Sequence, residues 1–212
     1  MHNQRNMILV IVLGAILITW IAYGFFSTWK IEQPKYEVLE KNNVYEVREY
    51  AKYIVAEAEV DEPYETATNS GFMLVADYIF GNNTTKEKIA MTSPVVQEES
   101  QKIAMTTPVI QETKGTSTYV TQFVLPSKYS MDDLPTPNNK KVKLKEVEGR
   151  KLAVHRFSWY TPLSRVLKKK KLLLDAVSSN NLEAASEPVL ARYNPPWTPP
   201  FMRRNEIWVE IK

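Results

Sequence analysis

The feature that most constrains this chain is a long apolar segment close to its first residue. No residue from Asn6 to Trp29 is charged, and the twenty residues Met7–Phe26 are interrupted only by two glycines and a threonine. Twenty helical residues span about 30 Å, which is the thickness of the hydrocarbon core of a bilayer. The segment has no polar face to turn towards water. It therefore predicts a helix that crosses a membrane once.

A cleaved signal peptide is the alternative, although the apolar core of such peptides is only about 7–15 residues long. Lysine and arginine residues on the two sides of the segment do not fix its orientation, and we favour a cytoplasmic N-terminal tail with the domain outside the cytoplasm. The expected organisation is a tail (residues 1–6), a transmembrane anchor (7–29), a linker (30–35) and one globular domain (36–212).

The charge and residue inventory of the domain excludes several classes of function. Residues 31–212 contain all 24 acidic residues and 25 of the 27 basic ones, so their net charge is +1. Such a domain lacks the basic surface that binds phosphate backbones, and we expect no nucleic-acid partner. The chain has no cysteine, so it has neither disulfides nor thiolate metal sites. It also lacks the glycine-rich and H-E-x-x-H motifs, and we expect that it is not an enzyme.

Two helices are predicted inside the domain. The apolar residues of 64–80 repeat with helical periodicity, and Gly81 suits the left-handed position that follows a helix. A second helix is predicted to begin at Thr161-Pro162, with the threonine hydroxyl as N-cap, and to run to about Val177.

Strand-like segments surround these helices. Residues 44–50 and 52–60 predict a hairpin, and further strands are predicted at 118–125, 141–147, 151–157, 187–193 and 206–211. This arrangement favours an α+β fold with a mostly antiparallel sheet. Because a strand pair precedes each helix, at 44–60 and at 141–157, we expect two similar halves related by internal pseudo-symmetry.

One segment is duplicated. Lys88–Glu98 recurs as Lys102–Glu112, with only Ser/Thr and Val/Ile exchanges. Either the two copies form a duplicated strand and turn, with each proline at an edge or bulge, or they line the mouth of a ligand site with the flexible thioethers of Met91 and Met105.

The duplicated K-I-A-M-T-[ST]-P-V segments, the segment Q-F-V-L-P-S-K-Y at 122–129 and the tail Y-N-P-P-W-T-P-P-F-M-R-R-N-E at 193–206 together resemble the SOUL haem-binding family. The resemblance covers about residues 34–212. It implies a distorted antiparallel β-barrel of two related halves with two helices, similar to bacterial effector-binding domains. In some members it also implies non-covalent binding of haem or another tetrapyrrole in an apolar cleft beside the first helix of the domain.

The first helix of the domain has apolar residues on two sides. Met73 and Phe80 lie opposite its main stripe, and Phe72 and Ala76 extend towards them. The second side is covered by a loop or strand, exposed to water, or a face for the tetrapyrrole. The candidate haem-binding residues are Phe72, Met73, Ala76, Phe80, Met91, Met105, Lys170, Arg203 and Arg204.

The three cations in this set have structural alternatives. Lys170 lies at the centre of an apolar stripe, where it either extends past the core or meets a buried anion such as a haem propionate. Arg203 and Arg204 are predicted either to bind a propionate or to form structural ion pairs with Glu206 and Glu210.

Coordination of the iron by histidine has weaker support. Some family members carry an axial histidine in the first hairpin, where this chain has Glu49. His155 is the only histidine of the domain and is the candidate metal ligand, with an ordinary strand histidine as the alternative. A membrane-tethered module of the effector-binding type remains the second hypothesis for the whole domain. It would bind another small ligand in its groove, or a protein at the proline-rich loop 194–200.

Overall fold

The computed structural model of the chain describes residues 2–26, 31–85, 100–114 and 117–212. Its helices are α1 (His2–Phe26), α2 (Tyr64–Ile79) and α3 (Leu163–Ser179), and a 3₁₀ turn covers Pro200–Met202. Its strands are β1 (Tyr36–Lys41), β2 (Glu46–Tyr50), β3 (Tyr53–Asp61), β4 (Asn83–Thr84), β5 (Val109–Lys114), β6 (Thr118–Val124), β7 (Thr136–Pro137), β8 (Val142–Val147), β9 (Arg150–Phe157), β10 (Val189–Arg192) and β11 (Asn205–Glu210).

Nine of these strands form one curled antiparallel sheet, and the short strands β4 and β7 pair with each other. The order of the large sheet is β1-β2-β9-β11-β10-β5-β6-β3-β8. The α+β class with an antiparallel sheet is therefore confirmed. The sheet is a half-barrel with β1 and β8 at its edges, whereas the family resemblance implied a distorted barrel.

Apart from β1, this order is symmetric about the pair formed by β10 and β5. Each half of the domain contains, in chain order, two strands, one helix and two strands. The first strand of each half pairs with the second strand of the other half, as β2 does with β9 and β8 does with β3. The two-part arrangement expected from the sequence is thus present in the strand order, with the first strands exchanged.

The predicted hairpin of residues 44–50 and 52–60 is wrong. β2 and β3 follow each other directly in the chain but lie on opposite sides of the centre of the sheet, and β2 forms its hairpin with β1 instead. The side chain of Asn42 closes that hairpin, because its Oδ1 accepts the N–H groups of Val44 at 2.8 Å and Tyr45 at 2.9 Å. Local alternation predicted the strands correctly but carries no information on which strands pair.

Both predicted helices of the domain are confirmed. Gly81 follows α2 with a φ of 119°, which is the left-handed conformation expected of it. α3 begins at Leu163 after Pro162, and no side-chain hydrogen bond caps it. The prediction of Thr161 as N-cap is therefore wrong. Its carbonyl instead accepts the Tyr64 hydroxyl at 2.9 Å, which joins the starts of the two helices.

The two helices of the domain pack on the same face of the sheet, which we call the helix-bearing face. α2 covers β3 and β6, and α3 covers β9 and β11. Gly71 permits the close approach of α2, because a Cβ atom there would lie 2.3 Å from the hydroxyl oxygen of Thr121 on β6. The opposite, helix-free face buries a separate aromatic cluster that includes Tyr50, Tyr193 and Trp208.

α1 is a helix long and apolar enough to cross a membrane, and it is almost entirely exposed. This property is shared by membrane anchors and by signal sequences near an N-terminus.

Candidate functional site

The outer side of α2 carries an apolar surface that the described chain does not cover. Met73 and Phe80 are 58% and 59% exposed, one helical heptad apart on the same side of α2. Phe72 and Ala76 continue this surface towards the core. The ring centroids of Phe72 and Phe123 are 5.0 Å apart, and Ala76 is buried. We call these four residues the α2 surface. The structure therefore brings together the four site residues predicted on this helix.

The second copy of the duplicated segment begins beside the end of α2. The backbone N–H of Ile103 donates to the carbonyl of Ile79 at 2.9 Å, and the side chain of Asn83 exchanges two hydrogen bonds with the backbone of Gln101. Met105 follows and is 40% exposed. Met91, the corresponding residue of the first copy, lies outside the described residues.

A polar seam of Thr68, Gln111 and Arg192, joined by hydrogen bonds, lies over the centre of the sheet, and we include Lys170 of α3 in it because Glu112, the residue after Gln111, influences the pKa of this lysine. Buried Gln111 on β5 donates to the hydroxyl of Thr68 on α2 at 2.9 Å, and its Oε1 accepts a long hydrogen bond of 3.4 Å from Arg192 on β10. Lys170 extends from α3, and the carboxylates of Glu187 and Glu112 act to raise the pKa of its ammonium. Since Thr68 is one helical turn before Phe72, the seam adjoins the α2 surface.

The two cations of the seam lie in an environment that disfavours their charge. Burial lowers the pKa of the Lys170 ammonium, and the two nearby glutamates only partly oppose this effect. Burial likewise lowers the pKa of the Arg192 guanidinium. Among the described residues, neither cation is within 4.0 Å of a carboxylate. An anion bound at the seam would therefore stabilise both charges.

Arg192 was missed by the sequence analysis. It is a cation in a short strand of otherwise apolar residues, and that pattern could have identified it as a buried charge.

Arg203 and Arg204 bind the protein's own loop. Arg203 donates to the carbonyls of Thr198, at 2.9 Å, and Pro196. Arg204 donates to Glu206 at 2.8 Å, and its guanidinium lies 3.8 Å from the ring centroid of Tyr193. The structure thus places both arginines away from the α2 surface. Arg204 makes the structural ion pair with Glu206 that the alternative predicts, whereas Arg203 donates to backbone carbonyls and Glu210 pairs with Arg150.

A small polar cavity adjoins Arg204 and is lined by Gln33, Thr107, Arg156, Tyr193, Asn194, Met202 and Arg204. Its volume of about 190 Å³ is below the roughly 300–1,000 Å³ of pockets that enclose drug-sized ligands. A tetrapyrrole therefore does not fit in this cavity.

A buried charge cluster surrounds Glu206, next to Arg204 and to the aromatic residues of the helix-free face. This glutamate is fully buried and accepts hydrogen bonds from Arg48 at 3.2 Å, Tyr193 at 2.8 Å and Trp208 at 2.7 Å, besides the one from Arg204. Burial opposes the charge of Arg48, but Glu206 together with Tyr50 and Glu46 outweighs this effect, and the pKa of the guanidinium is raised. The cluster ties β2 to β11 through their side chains, and sequence reasoning had treated Glu206 only as an ion-pair partner.

His155 is engaged at both ring nitrogens. Nδ1 lies 2.6 Å from the carbonyl oxygen of Val44, and Nε2 lies 3.2 Å from the ammonium of Lys169. A carbonyl oxygen only accepts, so Nδ1 carries the proton and Nε2 accepts from Lys169. Burial, and secondarily the Lys169 charge, lower the pKa of this imidazole against the opposing effect of the Val44 hydrogen bond. In this arrangement the histidine holds β9, α3 and the β1–β2 turn together.

Comparison with known proteins gives this fold a family. The sequence profile of the SOUL heme-binding protein family matches residues 31–101 and 96–210. Heme-binding protein 1 of Xenopus laevis is 26% identical over 172 residues, which cover 80% of this chain and 85% of that protein.

Solved structures agree at the level of the fold. The crystal structure of the EcmrR C-terminal domain matches with a TM-score of 0.57 and 9% identity, over 84% of this chain and 98% of that one. The same protein in a cryo-EM complex with DNA matches with a TM-score of 0.52 and 9% identity, over 100% of this chain and 70% of that one. At such identities the likeness concerns the fold alone. The profile, in contrast, spans nearly the whole domain, and the chain belongs to the SOUL heme-binding protein family.

Proposed function

We propose that this protein binds haem or a related tetrapyrrole non-covalently at the α2 surface and leaves it chemically unchanged. The observation that carries the proposal is that Met73 and Phe80 are exposed about two helical turns apart, with Asp77 between them, on the side of α2 opposite to the one that packs on the sheet. An apolar face that the fold does not need is available to a flat apolar ligand. Family membership and the curated relative support a tetrapyrrole as that ligand.

Desolvation of the α2 surface supplies part of the binding free energy. Full burial of a Met or Phe side chain is worth about 1.5–3 kcal/mol, so covering the exposed part of these two is worth roughly 2–3 kcal/mol. Micromolar affinity requires about 8 kcal/mol. The remainder would come from the apolar faces of the macrocycle itself, from Met105, and from the charges of the polar seam.

The seam suits the acidic groups of the ligand. Lys170 and Arg192 are cations without a carboxylate partner in the described chain, and both lie in surroundings that strengthen a charge-assisted hydrogen bond. We propose that they receive the propionates. Arg203 and Arg204 have no part in this version of the site, because their donors are used by the loop and by Glu206.

The iron need not have a histidine ligand for this mode of binding. His155 would have to give up Lys169 before its Nε2 could coordinate a metal. We therefore propose that apolar contact, and not a coordinate bond, provides most of the affinity. When bound, the haem would supply a Soret absorption band that reports its surroundings.

We further propose that α1 anchors the domain to a membrane as a single span, with the domain outside the cytoplasm. The length and hydropathy of α1 support this, and so does its exposure, since a helix of this composition is not stable when bare in water.

Titration of the full chain in lipid nanodiscs with haemin tests the ligand and the site together. We expect a saturable one-to-one Soret change with micromolar or tighter affinity. Met73→Asp should weaken it by about tenfold or more, because it removes apolar area and adds a carboxylate beside the ligand. Val38→Asp is the matched control, since Val38 is also exposed, at 46%, but lies on the edge strand β1, whereas α2 covers β3 and β6. Weak, non-saturating association would refute haem as ligand, and equal affinities of the two variants would remove α2 from the site.

A further inference from the structure

We propose that an aromatic surface of the domain lies in the headgroup region of the membrane that α1 enters. This aromatic surface consists of Trp159, Tyr160, Trp197 and Phe201. The proposal rests on the membrane-anchoring part of the proposed function and does not depend on haem.

The four side chains belong to one surface although they come from two loops. Each is about half exposed, between 49% and 56%. The N–H of Trp159 donates to the carbonyl of Pro200 at 2.8 Å, which ties the turn after β9 to the proline-rich loop. The guanidinium of Arg203 lies 4.8 Å from the ring centroid of Tyr160 and makes a second link between the two loops. These links hold the two loops next to each other, and each loop exposes large aromatic side chains.

The backbone of Trp159 adds a second observation. Its φ is 78°, in the left-handed region that bulky residues avoid. The conformation is held from two sides, by the bond to Pro200 and by the side-chain amide of Asn205, which donates to the Trp159 carbonyl at 2.9 Å. Strain of this kind concentrates at functional sites. Here the strained residue carries an indole ring that is 49% exposed, so burial of the ring does not account for the conformation.

Direct contacts with α1 place this surface relative to the bilayer. The indole Nε1–H of Trp20 donates to the carbonyl of Trp197 at 2.8 Å. Gly24 is buried against the same loop, and a Cβ atom there would lie only 2.7 Å from Cδ of Pro199. Trp20 and Gly24 precede the last residue of α1, Phe26, by about 9 Å and 3 Å along the helix axis.

Because Phe26 ends the apolar run, Gly24 lies about 3 Å and Trp20 about 9 Å on the hydrocarbon side of the boundary between hydrocarbon and headgroups, so the loop that contacts them lies at this boundary. The headgroup regions add roughly 5–8 Å on each side of the hydrocarbon core, and Trp and Tyr are enriched there because their rings have both apolar and polar parts. A protein partner would meet the same residues. Contact with α1 inside its apolar stretch, however, puts them at the bilayer itself, and this favours lipid.

The absence of cysteine makes the proposal directly testable by spin labelling. Single variants Phe201→Cys, Ile16→Cys and Lys143→Cys of the full chain are labelled with a nitroxide and reconstituted in vesicles of phosphatidylcholine and phosphatidylglycerol. We expect the label at 201, like that at 16 within α1, to be accessible to oxygen and protected from an aqueous nickel complex. The label at 143, an exposed position of β8, should show the reverse.

A second measurement uses a label at Tyr160→Cys. Adding Trp197→Ser and Phe201→Ser should abolish its protection from nickel, whereas Leu167→Ser, which removes an exposed apolar side chain from α3, should not. Protection at 16 together with water accessibility at 201 would overturn the proposed surface and leave α1 as an anchor. Water accessibility at 16 would overturn both proposals, because α1 would then lie outside the bilayer.

Discussion

Substitution of Glu206 tests whether the buried charge cluster holds the two halves of the domain together. Glu206→Gln keeps the size of the side chain but removes the charge that faces Arg48, whose side chain is 3% exposed. Removing one partner of a buried ion pair costs about 3–5 kcal/mol, because the other charge stays buried without compensation. Glu46 also contacts Arg48, through Nη2 at 2.6 Å, and it retains part of the compensation. We therefore expect a loss near the lower limit, about 3 kcal/mol.

For a chain of this size, 1 kcal/mol corresponds to roughly 2–4 °C in the midpoint of thermal unfolding, so Glu206→Gln should lower the midpoint by about 6–12 °C. Near-UV circular dichroism is a suitable assay, because the indole of Trp208 donates to Glu206 and reports the cluster directly. Glu210→Gln is the matched control on the same strand. Its ion pair with Arg150 is partly exposed, at 36% and 28% of the side chains, and such pairs are worth at most about 1 kcal/mol.

The comparison of the two variants decides the argument. Equal melting points for Glu206→Gln and Glu210→Gln would refute the claim that the cluster stabilises the fold. The double variant Arg48→Met with Glu206→Gln gives an independent check. It leaves Arg204 without its carboxylate, as the single variant does, but removes the buried charge of Arg48, so it should recover part of the stability that the single variant loses.

Three further predictions follow from single contacts. Gly71→Ala should lower the free energy of unfolding in urea by about 1–3 kcal/mol, because its new methyl group meets Thr121, whereas Gly14→Ala, with no atom within 4 Å, should have no effect. Burial lowers the pKa of His155 in the folded state, so the stability that the neutral imidazole contributes is present above pH 6.5 and is lost as the pH falls through the folded-state pKa. His155→Gln should therefore lose less thermal stability than the parent protein between pH 7.5 and pH 5. An equal loss in both proteins would contradict this. Lys170→Met should leave folding intact but weaken haemin binding by about tenfold in a Soret titration, and haemin dimethyl ester, which lacks free propionates, should bind both proteins equally.

The sequence predicted the helices and strands of this fold better than it predicted which strands pair with each other. α2 and α3 were found within two residues because periodicity, Pro162 and Gly81 act within a few residues of one another. Strand pairing is decided by contacts between distant segments, so alternation in residues 44–60 predicted two strands and the wrong partner for each.

The same distinction applies to the candidate site. The α2 surface was predicted because helical geometry fixes which residues share a side. Arg192 and the environment of Glu206 were not, since a single charged residue in an apolar strand shows that a partner is needed but not which one. Arg203 and Arg204 show the reverse case. The sequence offered them as cations for a propionate, but in the structure their donors already bind the adjacent loop and Glu206.

The symmetry of the strand order gives a physical reason for a single binding face. α2 and α3 occupy equivalent places in the two halves, and both bury one side on the sheet. The two helices differ in composition, because α2 contains no Lys or Arg and has Met73 and the following Phe80 exposed, whereas α3 carries Arg165 and the four lysines of 168–171. An amphipathic anion needs apolar contact on one side and positive charge on the other. A seam between two such helices offers both, so the difference between the helices accounts for one proposed tetrapyrrole site where the symmetric strand order would allow two.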